Sequence, residues 1–193
     1  MAFLVHLGDD VYTYGTDPVE YEVSYNYKEK MRILVMFQEE NSRVKNIRAE
    51  VYGLFSSEIE FSDWAAFRPD NILRTYGMPS RVAFSVSYPT EPTTDDTVGY
   101  RFVFFYDDQH LVIYYGDQRV LDRPAIRVCP LVDPEMRTFR IWLGEGFENI
   151  PMGRVEVQDA SSLSVADFYN LMLGDPEDAC FDLNSDAFHV FGP

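Results

Sequence analysis

The sequence predicts an α+β fold, an antiparallel sheet with its helices packed on one face. Three observations point there. Apolar and polar residues alternate at strand period, as where Val82, Phe84, Val86 and Tyr88 interleave with Ala83, Ser85 and Ser87. Apolar runs break at short acidic turns such as Asp107-Asp108-Gln109, where a chain of this pattern folds back as a hairpin. Apolar helical segments end on a glycine with a proline soon after, at Gly77-Met78-Pro79 and at Gly174-Asp175-Pro176.

The elements follow in order. Met1 to Gly8 reads as the last turns of a helix that Gly8 stops, so the chain is expected to begin inside its first helix and to derive from a longer precursor. Tyr12 and Tyr14 alternate out from Gly8, and Tyr21, Val23 and Tyr25 do so again after Asp17-Pro18. Arg32 to Phe37 and Val44 to Tyr52 are strands on either side of Gln38-Glu39-Glu40-Asn41. Ser62-Asp63 offers a cap for a short turn through Trp64 to Phe67, and Pro69 opens a helix that ends at Gly77. Tyr100 to Tyr106 and Leu111 to Tyr115 form a second hairpin. Its first strand is apolar almost throughout, as a strand covered on both faces must be. Arg123 to Cys129 and Thr138 to Leu143 are further strands. A closing helix spans Val165 to Leu173, with Ser164 as its cap and Asp167 in the box position.

A shift of 69 residues carries Arg32-Ile33-Leu34-Val35-Met36-Phe37 onto Arg101-Phe102-Val103-Phe104-Phe105-Tyr106, and Gly8 onto Gly77. The match is one of pattern: helix end, glycine, strand, long loop, hairpin. It predicts an internal duplication within a single domain, 1–193. The sub-repeats are 1–60 and 61–122, and 123–193 supplies C-terminal strands and the closing helix.

Composition narrows the function classes. Of 193 residues, 46 % are hydrophobic and 25 % charged, enough apolar material for a packed core. Sixteen basic against thirty-two acidic residues give a net charge of −16. Nucleic acid and anionic membrane surfaces are recognised through Lys and Arg, so neither is an expected partner; a basic protein is. No apolar run approaches the roughly 20 residues a membrane span needs. A lipid anchor on a longer precursor is compatible with all of this.

Catalytic and metal motifs are not evident. Cys129 and Cys180 fit no zinc spacing; they read as one disulfide, with two buried reduced thiols as the alternative. His6, His110 and His189 fall in no HxxxH or HExxH arrangement. Asp182-Leu183-Asn184-Ser185-Asp186 opens like a calcium loop, but Ala187 and Pro193 stand where Gly and Glu are needed, so it reads as a polar turn. The expected catalytic, metal and cofactor sets are empty.

The chain is 16 % aromatic with thirteen tyrosines. Tyr12 with Tyr14, and Tyr25 with Tyr27, are two residues apart, so each pair projects to one side of an extended strand. A sheet with helices on one face leaves the other open, and these four tyrosines are the expected protein-binding patch there.

The unit from Asn71 to Tyr115, with its motif Gly77-Met78-Pro79-Ser80-Arg81-Val82, resembles one repeat of the β-lactamase-inhibitor-protein and outer-membrane-assembly-lipoprotein superfamily. The resemblance covers roughly residues 3 to 116. Those inhibitor proteins are tandem duplications, which suits the internal shift, and the chain is also similar in style to uncharacterised bacterial lipoproteins. Their repeats carry disulfides inside them and neither repeat here holds a cysteine, so no inhibitory or assembly contact is carried over. The resemblance implies a non-enzymatic, extracytoplasmic protein-binding module. The alternatives are a cytoplasmic, acidic immunity-type protein neutralising a basic partner, and an enzyme of unrecognised type.

Overall fold

The computed structural model describes residues 11–14, 19–27, 31–40, 43–52, 67–88, 97–121, 125–132, 138–144 and 155–188, with side chains over 46–50, 67–88, 98–116, 125–132, 138–144 and 155–188. The strands are β1 (Val11–Tyr14), β2 (Val19–Tyr27), β3 (Met31–Glu40), β4 (Arg43–Tyr52), β5 (Arg81–Ser87), β6 (Thr97–Tyr106), β7 (Leu111–Leu121), β8 (Ile126–Val128), β9 (Thr138–Gly144), β10 (Val155–Glu156) and β11 (Phe181–Leu183). The helices are α1 (Pro69–Tyr76), α2 (Val157–Ala160) and α3 (Val165–Met172).

Among the described residues, nine strands form one antiparallel sheet in the order β1-β2-β3-β4-β9-β7-β6-β5-β10, and β8 with β11 forms a separate pair. Both predicted hairpins are present, and each is longer than its apolar run. Between them sits β9, bonded to β4 on one side and to β7 on the other. Residues opposite each other in such a ladder share a face. Val82, Phe84, Tyr100, Phe102, Phe104, Tyr106, Leu111, Ile113, Tyr115 and Phe139 therefore lie on one side, the core face, and all are buried.

Local sequence explains how the helices meet this face. Pro69 opens α1 and Ser164 caps α3 in a full capping box, its hydroxyl accepting from the Asp167 N–H at 3.1 Å. α1 contributes Ile72 and Leu73 to the main cluster, α2 Val157 and Ala160, and α3 Phe168 and Met172. Phe168 stands edge-on to Phe84, Phe104 and Phe181, with ring centroids 5.7–6.1 Å apart. Removing such a side chain from water is worth about 1.5–3 kcal/mol.

The second face of the sheet is not open at its centre. Ala83, Val103, Phe105, Val112, Tyr114 and Trp142 form a buried cluster there. This corrects the expectation of an uncovered face, and it accounts for the unbroken apolar run in β6 by burial on both sides.

The two hairpins lie at mirrored places about β9. Phe37, Ile47, Leu143, Leu111 and Tyr106 occupy one continuous cross-strand row, so the shift of 69 maps one end of that row to the other, on the same face. Seen from that face, β4 stands on one side of β3, while β7 stands on the opposite side of β6. A rotation that keeps strand direction and face would carry β4 onto β5. The 69-residue shift thus brings only Arg32–Phe37 and Arg101–Tyr106 to the same direction and face, the two hairpins have opposite hands, and the internal duplication is not shown. The expected N-terminal helix end at Gly8, and the turn from Trp64 up to Ala66, lie outside the described residues.

Candidate functional site

Three places on the described surface bring together side chains that chemistry could use. The first is the Gly77–Val82 motif. Gly77 has φ 82° and ψ −163°, a backbone region that residues with a Cβ avoid, and its N–H closes the helix on the Leu73 carbonyl at 2.9 Å. Its own carbonyl accepts from the Tyr106 hydroxyl at 3.1 Å, and burial pushes the Tyr106 phenol well up from its ordinary value. Ser80 Oγ lies 2.7 Å from Asp107 Oδ2 and accepts from the Asp107 N–H at 3.1 Å. Arg81 reaches Asp107 at 3.2 Å and Glu156 at 3.5 Å while its guanidinium lies 4.1 Å above the Phe105 ring. The Arg81 hydrogen bond is the main cause holding the Asp107 carboxyl below its usual value; burial opposes it, and the Ser80 hydrogen bond and the Arg81 charge add to the lowering. The motif is a clasp that ties the α1–β5 junction to the turn after β6.

The second place lies on the far face, where β4 meets β9. Glu50 is only 4 % exposed and sits between two arginines, Arg140 Nε at 2.7 Å and Arg48 Nε at 3.7 Å. The Arg140 guanidinium also stands 5.4 Å from the Tyr114 ring, which meets Trp142 edge-on. One buried carboxylate shared by two cations, walled by aromatics, is a structural anchor of the far face: its charges already answer one another. Sequence reading missed it because its members come from β4, β7 and β9 and meet only through the cross-strand register.

The third is an apolar row at the turn end of the core face. Leu143 and Ile47 face each other across β9 and β4 and are 47 % and 37 % exposed. Along the same row stand Leu111 and Tyr106, both buried, and beyond them Tyr76, whose ring is 5.8 Å from that of Tyr106. Tyr76 and Met78 are themselves exposed. The sequence carried no sign of this row, because each member looks like an ordinary inward strand or helix residue.

Cys129 and Cys180 are paired as a disulfide, with Cα atoms 4.2 Å apart. They flank the β8–β11 ladder, directly beyond the Val128–Phe181 pair, so the bond crosses the two strands and holds the C-terminal segment to the chain.

The four tyrosines do not share a face. Tyr12 and Tyr14 stand opposite Glu22 and Glu20, and that parity leads through Met36 and Arg48 to Trp142 on the far face. Tyr25 and Tyr27 stand opposite Ile33 and Met31, and Ile33 leads through Val51 to Phe139 on the core face. The backbone register splits the expected patch in two; the side chains of all four lie outside the described residues.

No protein-family model, no curated protein and no solved structure matches the chain. Among the described residues no helix is long and apolar enough to cross a membrane.

Proposed function

We propose that this chain is a non-enzymatic protein-binding module that works outside the cytoplasm and takes a basic protein as its partner. The observation that carries the reading is the Cys129–Cys180 pair, because such bonds persist in oxidising compartments and are reduced in the cytosol. A net charge of −16 supports a basic partner, since opposite charge steers encounter and selects among candidates. The pairing of the cysteines also weighs against the cytoplasmic immunity-type alternative. A longer precursor with a lipid anchor would make the chain the ectodomain of a lipoprotein.

The test uses the tagged full chain in intact cells of its own host. After blocking with a membrane-permeant alkylating agent without reductant, both cysteines are expected to be unmodified. Chemical crosslinking is expected to give an adduct with a basic protein. Two alkylated cysteines, or no adduct, would overturn the reading.

A further inference from the structure

We propose that the Cys129–Cys180 bond is a reversible thiol-exchange site: it opens to a small thiol while the chain stays folded, and its acidic surroundings favour cationic over anionic thiols. The proposal goes beyond the binding reading and does not depend on what the partner is.

Exchange needs access, and the bond has it. Cys129 and Cys180 are each half-buried at the end of the β8–β11 ladder, and neither belongs to the core cluster. On one side runs the turn Gly174–Asp178, exposed at every residue. The Asp178 and Cys180 N–H groups close it on the Asp175 and Asp178 carbonyls, at 3.0 and 2.8 Å. The Glu177 carbonyl lies 3.9 Å from Cys180 Sγ. Exposed disulfides are the labile ones, while those enclosed by a core resist thiols.

Reversibility needs the two sulfurs to stay together once the bond is cut. The C-terminal segment is held by contacts that do not involve them. Ala179, Phe181, Leu183 and Phe188 are buried in the main cluster, and the Phe181 ring meets Phe84 and Phe168 at 5.7 Å. The Asn184 N–H donates to the Ala160 carbonyl at 2.7 Å, and Arg127 reaches Asp182 across the ladder at 3.3 Å. Opening therefore lowers stability without freeing β11, and the thiols remain opposite each other, placed to bond again.

The chemistry is two successive displacements at sulfur. A thiolate attacks Cys180 Sγ, the sulfur beside the exposed turn; a new S–S bond forms as the Cys129 thiolate leaves and takes a proton from water. A second thiolate attacks the small-molecule sulfur of that mixed disulfide and expels the Cys180 thiolate, which is protonated in turn. Two small thiols are oxidised to one small disulfide, and the protein gains two electrons and two protons.

Charge decides which thiols arrive. Glu177 and Asp178 are exposed, three and two residues before Cys180. From Val155 to Phe188 the chain carries eight carboxylates and no Lys or Arg. Among the described residues flanking the bond, 125–132 and 174–183, Arg127 is the one cation, and Asp182 answers it. The field at the bond is negative and opposes a thiolate that carries a further negative charge.

The test treats the oxidised full chain, without denaturant, with cysteamine, mercaptoethanol and mercaptoethanesulfonate at equal thiolate concentration. Alkylation and mass spectrometry count the free cysteines with time. All three thiols are expected to open the bond, cysteamine about fivefold or more faster than the sulfonate at low salt, a gap that high salt narrows. Glu177→Gln combined with Asp178→Asn should shrink the gap and leave the melting temperature nearly unchanged, since both side chains are exposed. In the reduced chain the amides of β11 and Asn184 should stay protected from hydrogen exchange, and hydroxyethyl disulfide should restore the bond once the thiol is removed. No opening without denaturant would overturn the exchange site and leave a sealed structural bond. Loss of amide protection on opening would overturn it as well, since the bond would then be what seats the segment. Equal rates for the three thiols, or a gap that the double variant leaves unchanged, would overturn the charge selection.

Discussion

The Tyr115 hydroxyl donates to the Phe67 carbonyl at 2.9 Å, from a side chain that is fully buried at the centre of the sheet. Its ring stacks on Phe102 at 4.7 Å and touches Phe139 at 5.2 Å, and Phe67 itself packs on Phe139 at 5.1 Å. Burial raises the Tyr115 phenol far above its usual range, so it stays a proton donor throughout the working pH range. One side chain thus fixes both the middle of β7 and the entry to α1. Tyr115→Phe keeps the packing and removes the donor, and should lower stability by about 1 kcal/mol in urea denaturation. An unchanged midpoint would mean that water replaces the hydroxyl at Phe67.

Glu50 tests the opposite case, a buried charge held by charges. Taking away one member of a buried ionic group strands the others, at a cost of about 3–5 kcal/mol. Glu50→Ala should fall below that range, at about 1–3 kcal/mol, since Arg140 and Arg48 keep 29 % and 40 % of their side-chain surface exposed and water answers part of their charge. In a double-mutant cycle with Arg140→Met, the losses should be less than additive by more than about 0.5 kcal/mol. Additive losses would show that Glu50 acts mainly through other neighbours.

The contrast between these two sites shows what the sequence could and could not disclose. Signals carried within a few residues were legible: Ser164 and Asp167 of the capping box, Pro69 at the start of α1, Gly77 at its end, the alternation through β5 and the unbroken apolar run of β6. What was not legible is who lies beside whom. Nothing in Thr138 to Leu143 says that β9 enters between the two hairpins, yet that placement creates the Glu50–Arg140 contact, the Tyr114–Trp142 pair and the exposed Leu143–Ile47 pair. The tyrosine pairs meet a related limit. Spacing of two within a strand fixes each pair to one face, but which face depends on a register counted across β1 to β9. The short β10, α2 and β11 carry too few residues for any period to show.

The Cys129–Cys180 bond closes a chain separation of 51 residues. For a loop of this length the chain-entropy estimate gives about 4 kcal/mol of stabilisation through the unfolded state. Replacing both cysteines by serine should cost that order in denaturant titration. Alkylation of unreduced protein, read by mass spectrometry, should leave no modified cysteine. Two modified cysteines would remove the bond and with it the main support for an oxidising compartment.

Asp107 supplies a prediction in pH. The Arg81 hydrogen bond first of all holds its carboxyl below the ordinary 3.8; burial opposes it, and the Ser80 hydrogen bond and the Arg81 charge add to the lowering. A carboxylate whose folded value is depressed stabilises the fold fully above its unfolded value. That contribution shrinks as the pH falls below 3.8 toward the lower folded value, where both states become protonated. Because Arg81 and Asp107 are both more than a third exposed, the pair is worth at most about 1 kcal/mol. Asp107→Asn should therefore melt lower than the unaltered chain at pH 7, and the two melting curves should converge as the pH drops below the ordinary carboxylate value. High salt at pH 7 should narrow the gap in the same direction, by screening. A gap that persists at acid pH would assign the effect to the Ser80 hydrogen bonds, which asparagine rearranges at any pH, and would remove Arg81 as the cause.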